Sequence, residues 1–279
     1  MQHYWVLRTD PRTPSTPDHG VIPGGYADLI FNVGDQVSLS DSGGIFVAKA
    51  KSFAVGPFDR FRRFRAEGQL EFLGVRFRPG RAPFSPDLPL GEARNRAVPL
   101  DDIWEDQGRR AEIHALEFRL AQVSGITQRM ACVARFLVKL LRDSKEPDAV
   151  ITQALSLIAE AKGQLPVETL AAAVRISGRQ LERKFTQHVG LSPKAFCRIT
   201  RFRQAKFMLE SMPGIRGCDL ASACGYYDQT QLIREFRWFT GQTPMAMKES
   251  VGFFLYDSPR KCYPLNRRRD PLLSPISIG

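Results

Sequence analysis

Two stretches of the chain repeat one pattern: LAAAVRISGRQLERKFTQHVGLSP at residues 170–193 and LASACGYYDQTQLIREFRWFTGQTP at residues 220–244. The interval is 50 residues for the first three matched positions and 51 for the later ones, so the spacing changes by one residue in the turn between them. The matched residues of the first copy are Leu170, Ala171, Ala173, Leu181, Arg183, Phe185, Gly190 and Pro193.

Each copy carries the start and stop signals of two helices. Ser177 and Asp228 stand at helix N-cap positions with a Gln three residues later, which predicts a capping box in both copies. Gly190 and Gly241 suit the left-handed caps that end helices, and Ser-Pro or Thr-Pro then opens the next one. The sequence therefore predicts two helix-turn-helix units, with second helices over 177–188 and 228–240 and one connecting helix over Pro193–Ser211.

The outward faces of the two second helices carry the candidate DNA contacts. Since Leu181 and Phe185 lie four residues apart and face the core, their neighbours point outward. Arg pairs with guanine and Gln with adenine in the major groove, although contact with phosphates and simple solvation of a helix face are the alternatives. The candidates are Arg179, Gln180, Glu182, Arg183, Gln229, Thr230, Arg234 and Arg237.

Charge and composition narrow the class of protein. Residues 163–250 hold 13 Lys and Arg against 7 Asp and Glu, whereas residues 1–150 hold 21 against 19. Basicity is thus concentrated where a polyanion-binding module is predicted. We see no signal peptide and no run of about 20 apolar residues, so we expect a cytoplasmic protein without a membrane partner. Five scattered Cys and four scattered His predict neither a metal site nor a cofactor.

The residues of the second copy also carry a resemblance. Residues 150–250 resemble the DNA-binding domain of the AraC/XylS family of transcription regulators, whose signature is matched in the second unit. The resemblance implies that the helices 177–188 and 228–240 enter DNA, and that an Arg near Arg203 has a structural or backbone role. The matched residues are Ala221, Gly225, Tyr226, Leu232, Phe236, Gly241, Thr243 and Pro244.

The N-terminal half has a different character. Runs rich in Val, Ile and Phe at 28–33, 45–50 and 70–77 alternate with Pro and Gly clusters, which predicts a small β barrel or sandwich. Two amphipathic helices follow, and their apolar faces are buried either on that sheet or in a homodimer. Residues 20–141 also resemble an uncharacterised β domain found fused to AraC-type regulators, carried by residues 21–35, 72–80 and 98–104.

These patterns together define an α+β chain of two domains. We expect a β-rich effector or dimerisation domain at 1–142, a linker at 143–149, an all-α DNA-binding domain at 150–250 and a disordered basic tail at 251–279. The segment 60–65, RFRRFR, is interpreted as a half-exposed strand with solvated arginines rather than as an anion site.

The resulting functional hypothesis is a sequence-specific, double-stranded-DNA-binding transcription regulator that is not an enzyme. RNA polymerase, a small-molecule effector bound by the N-terminal domain and a second copy of the chain are further partners that fit this architecture. The alternative is an enzymatic or partner-protein-binding β domain tethered to DNA by the C-terminal module. No Cys stands in a nucleophile motif, which disfavours the enzymatic version.

Overall fold

The computed structural model describes residues 3–8, 19–34, 38–41, 50–67, 70–84, 87–142, 144, 146–212, 214–249 and 262–264. The N-terminal part is built from strands. They are β1 His3–Arg8, β2 His19–Val21, β3 Ala27–Asn32, β4 Ser38–Asp41, β5 Ser52–Val55, β6 Arg62–Glu67, β7 Glu71–Phe77, β8 Ala97–Pro99 and β9 Cys262–Pro264.

The strands form two antiparallel sheets. The larger sheet has the order β8-β5-β3-β7-β1-β9, and the smaller has the order β2-β6-β4. In the larger sheet β3 and β7 pair in a register that sets Leu29 opposite Val75. The predicted runs 28–33 and 70–77 correspond to β3 and β7, while residues 45–49 of the third run lie outside the described residues.

Both faces of the larger sheet are buried, which explains why its strands read as apolar runs. One face, with Leu29, Phe31 and Val75, packs against the helices that follow the sheet. The other face, with Ile30 and Phe72, packs with Val21 of the smaller sheet. The N-terminal domain is therefore a sheet with helices on one side and a second sheet on the other, which agrees with the predicted β domain followed by helices.

Three helices, α1 Leu100–Ile103, α2 Gln107–Gln122 and α3 Ile126–Arg142, complete this domain. The apolar residues of α2 and α3 belong to the same core as the sheet, and the ring of Phe136 meets that of Phe31 edge-on at 6.3 Å. Of the two alternatives for these amphipathic helices, burial on their own sheet is the one that this chain adopts.

The C-terminal part is all helical. Its helices are α4 Ala149–Glu160, α5 Val167–Ala173, α6 Gly178–Val189, α7 Pro193–Ser211, α8 Gly217–Ala223, α9 Gln229–Thr240 and α10 Pro244–Glu249. One continuous core joins them. None of the described helices is long and apolar enough to span a bilayer.

The basic tail contributes one short strand. We expected disorder over 251–279, yet Cys262–Pro264 forms β9 and pairs antiparallel with β1, so that Tyr263 lies opposite Tyr4. The backbone groups at the free edge of β1 explain this pairing, since an edge strand offers unpaired donors and acceptors. The other residues of 251–279 lie outside the described residues.

Candidate nucleic-acid interface

The first unit begins its outward helix with a complete capping box. The Ser177 hydroxyl accepts from the backbone N–H of Gln180 at 3.2 Å, and the Gln180 side chain accepts from the backbone N–H of Ser177 at 3.0 Å. Two otherwise unpaired amides at the helix start are thereby satisfied. The predicted box is confirmed here, and α6 starts at Gly178.

The second unit departs from the predicted box. Asp228 accepts from the backbone N–H of Gln231 at 2.7 Å, as expected. The Gln231 side chain, however, accepts from the backbone N–H of Tyr227 at 2.8 Å rather than from that of Asp228. Asp228 is fully extended, with φ −152° and ψ 174°, whereas Ser177 has φ −69° and ψ 153°. This difference in backbone conformation brings the N–H of Tyr227 within reach of the Gln231 side chain.

Both outward helices end in a left-handed glycine. Gly190 has φ +78° and Gly241 has φ +73°, and each donates its N–H back to the last turn of its helix. A residue with a Cβ adopts this conformation at a cost, so glycine is favoured at both positions. Ser192 and Thr243 then cap the next helices, and Pro193 and Pro244 are their first residues.

The structure places all the predicted contact residues on the surface. Leu181 and Phe185 of α6 are fully buried, as are Leu232 and Phe236 of α9, which turns the opposite sides outward. Gln180 is exposed, but its amide oxygen is engaged in the capping box. The exposed set comprises Arg179, Gln180, Glu182, Arg183, Gln229, Thr230, Arg234 and Arg237.

The connecting helix α7 supports the second unit through charge. Arg198 donates from Nε and Nη2 to the two carboxylate oxygens of Glu235, at 3.1 and 2.8 Å. Its guanidinium also lies near the rings of Trp238 and Phe239, with 5.9 and 5.5 Å to their centroids. A bidentate pair of this kind fixes orientation as well as distance, so α9 is held against α7.

A second arginine of α7 joins the two units. Arg201 donates to the carbonyl of Gly163 at 3.1 Å, just before α5, and to the carbonyl of Gly225 at 3.2 Å, in the turn of the second unit. It also lies 5.6 Å from the centroid of the Tyr226 ring. The structural role that the family resemblance implied near Arg203 thus falls to Arg201. Arg203 contacts Tyr26 of the N-terminal domain, at 4.9 Å from the ring centroid.

The first unit is supported by α4. Lys184 of α6 forms an ion pair with Asp148, which also caps α4 by accepting from the N–H of Ile151 at 3.1 Å. Partial burial raises the pKa of Asp148, but the hydrogen bonds from Lys184 and Ile151 outweigh it and hold the pKa below its usual value. Burial also lowers the pKa of the nearby His188.

Two aromatic residues of the second unit escaped the sequence-based prediction. Tyr227, in the turn before α9, is 94% exposed, and a phenol at such a position can donate to a DNA phosphate. Trp238 is 48% exposed and donates from Nε1 to the carbonyl of Asp59 at 3.0 Å. An aromatic residue placed outside the apolar period of the helix was the available signal for Trp238.

The described residues contain no group of three or more His, Cys, Asp or Glu side chains with the geometry of a metal site. Cys132, Cys197 and Cys224 are buried thiols, whereas Cys218 is exposed. Burial raises the pKa of Cys197 to about 11, which keeps this thiol protonated and poorly nucleophilic at neutral pH.

Two capped helix-turn-helix units on one connecting helix, with a basic outward face, define a DNA-binding transcription regulator. Residues 170–250 match the family described as "Helix-turn-helix domain". Residues 1–99 match a second family, described as "Domain of unknown function (DUF6597)". No curated protein matches the chain.

Several solved structures are similar to parts of the chain. The C-terminal domain of AraT, a response regulator from Geobacillus stearothermophilus, is 21% identical over 40% of this chain and 93% of its own, with a TM-score of 0.36. A DNA-binding transcriptional dual regulator from Escherichia coli K-12 is 20% identical over 38% and 95%, with a TM-score of 0.33. ToxT from Vibrio cholerae is 9% identical over 89% and 97%, with a TM-score of 0.44.

Proposed function

We propose that one chain reads an asymmetric DNA site across two successive major grooves, with α6 in one groove and α9 in the next. The observation that carries this proposal is the pair Arg183 and Arg234, which occupy matched positions of the repeat and are both exposed. Because the other residues of the two outward faces differ, we expect α6 and α9 to select different base sequences in their two grooves.

The length of α7 supports this geometry. Its 19 residues correspond to about 28 Å of helix, and successive major grooves on one face of DNA lie about 34 Å apart. A single core spans both units, so the spacing between α6 and α9 is set within the chain rather than by a dimer. A second copy of the chain is therefore not needed for two-groove contact.

Selection of bound duplexes from a random DNA pool by the full-length protein tests the proposal. We expect enrichment of a non-palindromic sequence with two conserved blocks centred about 10 base pairs apart. Affinity for it should fall steeply between low and moderate salt because bound Lys and Arg displace condensed counterions. Failure to enrich any sequence, or an affinity independent of salt, would contradict the proposal.

We further propose that the N-terminal domain controls this reading. Its support is the direct contact that three of its segments make with the DNA-binding domain, described below. A small-molecule effector is one means of such control. Raised thermal stability of the full chain with a metabolite would support it, and the absence of any shift across a broad metabolite library would remove that support.

A further inference from the structure

The two domains meet along a docking surface made by residues 22–26, 57–61 and 89–91 of the N-terminal domain. The segment 89–91 reaches the C-terminal end of α6, and the segment 57–61 reaches that of α9. Leu90 donates its N–H to the carbonyl of Gln187 at 3.1 Å, and Phe61 donates its N–H to the carbonyl of Trp238 at 3.1 Å.

These two acceptors are equivalent in the repeat. Gln187 and Trp238 are 51 residues apart, and each lies three residues before the glycine that ends its helix. The last carbonyls of a helix have no partner within it, so both acceptors are groups that need an external donor. The N-terminal domain thus binds the same point of both units with the same type of bond.

The segment 57–61 is tied to Asn95, four residues after the segment 89–91, and the N–H of Arg94 donates to the carbonyl of Gly91 at 3.4 Å. The side chains of Asp59 and Asn95 form a hydrogen bond of 3.1 Å, and the Asn95 side chain also accepts from the N–H of Asp59 at 3.1 Å. The N–H of Asn95 donates to the carbonyl of Pro57 at 3.1 Å. The carbonyl of Asp59 in turn accepts from the indole of Trp238. Both helix ends are therefore held by one connected element.

The remaining segment, residues 22–26, docks on α7, between the two units. Ile22 is part of the core of the DNA-binding domain. Gly25 approaches Phe196 so closely that a Cβ would lie 2.7 Å from its ring. Tyr26 has Arg76 and Arg203 at 5.0 and 4.9 Å from its ring centroid, and Arg76 is anchored by a buried ion pair with Asp28 at 3.0 Å.

The docking surface leaves the DNA-reading faces open. All eight candidate DNA contacts are exposed while the domains are docked. We infer that the N-terminal domain is a brace: it holds the last turns of both outward helices in the arrangement that binds DNA, instead of covering that face. Fixing these helices in advance reduces the ordering cost of binding. The inference rests on the proposed DNA-binding function.

Gly91 offers a variant that breaks the docking from the N-terminal side. A Cβ at Gly91 would lie 2.7 Å from Cγ2 and 3.1 Å from the carbonyl of Thr186 in α6. Gly91→Val therefore separates the segment 89–91 from α6 without replacing any candidate DNA contact. Gly108→Val, at the start of α2, is the matched control, because its Cβ would meet only the carboxylate of Asp106, at 3.2 Å.

The test combines affinity with amide exchange in the full-length protein. On the selected DNA site we expect Gly91→Val to bind about ten-fold more weakly than the wild type, and Gly108→Val to bind within two-fold of it. Unchanged or tighter binding by Gly91→Val would overturn the brace, and tighter binding would identify a cover instead. In the wild type without DNA, the backbone amides of Leu90 and Phe61 should exchange at least 100-fold more slowly than amides of an unstructured peptide.

The exchange measurement also separates the two proposals. It needs neither DNA nor a folded variant, and free exchange at either amide would overturn the docking by itself. If the wild type enriches no DNA sequence while both amides are protected, the DNA-reading proposal fails and the docking stands without its role in binding. If Gly91→Val does not fold, Asn95→Ala replaces it, with the same ordering of affinities expected.

Discussion

The two helix-turn-helix units share a skeleton but differ in what they present to DNA. The buried Leu and Phe, the glycine caps and one outward Arg recur at matched positions. In contrast, Arg179 of the first unit corresponds to Thr230 of the second, and Glu182 corresponds to Ile233. A repeat conserved inside and divergent outside supports one architecture and two different recognition surfaces.

The units also differ in their support. The first is tied to α4 through the ion pair of Lys184 with Asp148, and the second is tied to α7 through Arg198 and Glu235. The two pairs are about equally buried: the carboxylates of Glu235 and Asp148 are 12% and 18% exposed, and the cations of Arg198 and Lys184 are 39% and 30% exposed. They differ in geometry, because Arg198 makes two hydrogen bonds to Glu235. Substitutions at matched sites should separate the shared skeleton from these unshared supports.

The largest effect is expected where the units are the same. Phe185→Ala and Phe236→Ala each remove a fully buried ring and should lower the free energy of unfolding by about 3–5 kcal/mol. Because one core spans both units, urea denaturation followed by circular dichroism should show the helical domain unfolding as a whole in each variant. Loss of a single unit with the other intact would contradict the shared core.

The charge pairs should give a smaller and unequal effect. Glu235→Gln leaves the Arg198 guanidinium without its carboxylate and should lower the free energy of unfolding by about 2 kcal/mol, less than for a fully buried pair because Arg198 is partly exposed. Asp148→Asn keeps the cap on α4 and should cost under about 1 kcal/mol. Equal costs for the two variants would show that the supports are equivalent.

Acid should remove the contribution of Asp148. Its pKa in the folded chain is below the ordinary 3.8, so the carboxylate stabilises the fold above that pH and loses its effect as the pH falls through the lower folded value. Unfolding free energies at pH 7 and pH 3 should therefore differ less in Asp148→Asn than in the wild type. A larger difference in the variant would reverse the assigned direction.

The helix caps should give the smallest effect. Ser177→Ala and Asp228→Ala should each cost about 1 kcal/mol, with Asp228→Ala the more costly because a carboxylate also interacts with the helix dipole. Asp228→Asn is the control that keeps the capping oxygen, and chemical denaturation measures all three. A costlier Ser177→Ala would show that the reciprocal box outweighs the charge.

The sequence predicts the skeleton well because its signals are side chains at fixed intervals. The N-caps, the glycine stops and the bounds of α7 follow from the repeat, and the outward residues follow from the buried Leu and Phe. The docking of the domains was not predicted, since Leu90 and Phe61 act through backbone N–H groups that any residue except proline carries. The interpretation of 60–65 as a half-exposed strand missed the docking for the same reason, because Phe61 binds α9 through its backbone.

If one chain binds DNA as proposed, α6 and α9 contact different segments of one site. DNA selection repeated with Arg183→Ala and with Arg234→Ala distinguishes these segments, with Arg135→Ala on α3 as the control. We expect each variant to lose preference in one block only, and the two affected blocks to lie about 10 base pairs apart. Loss of the same block in both variants, or an even weakening across the site, would contradict the proposed arrangement.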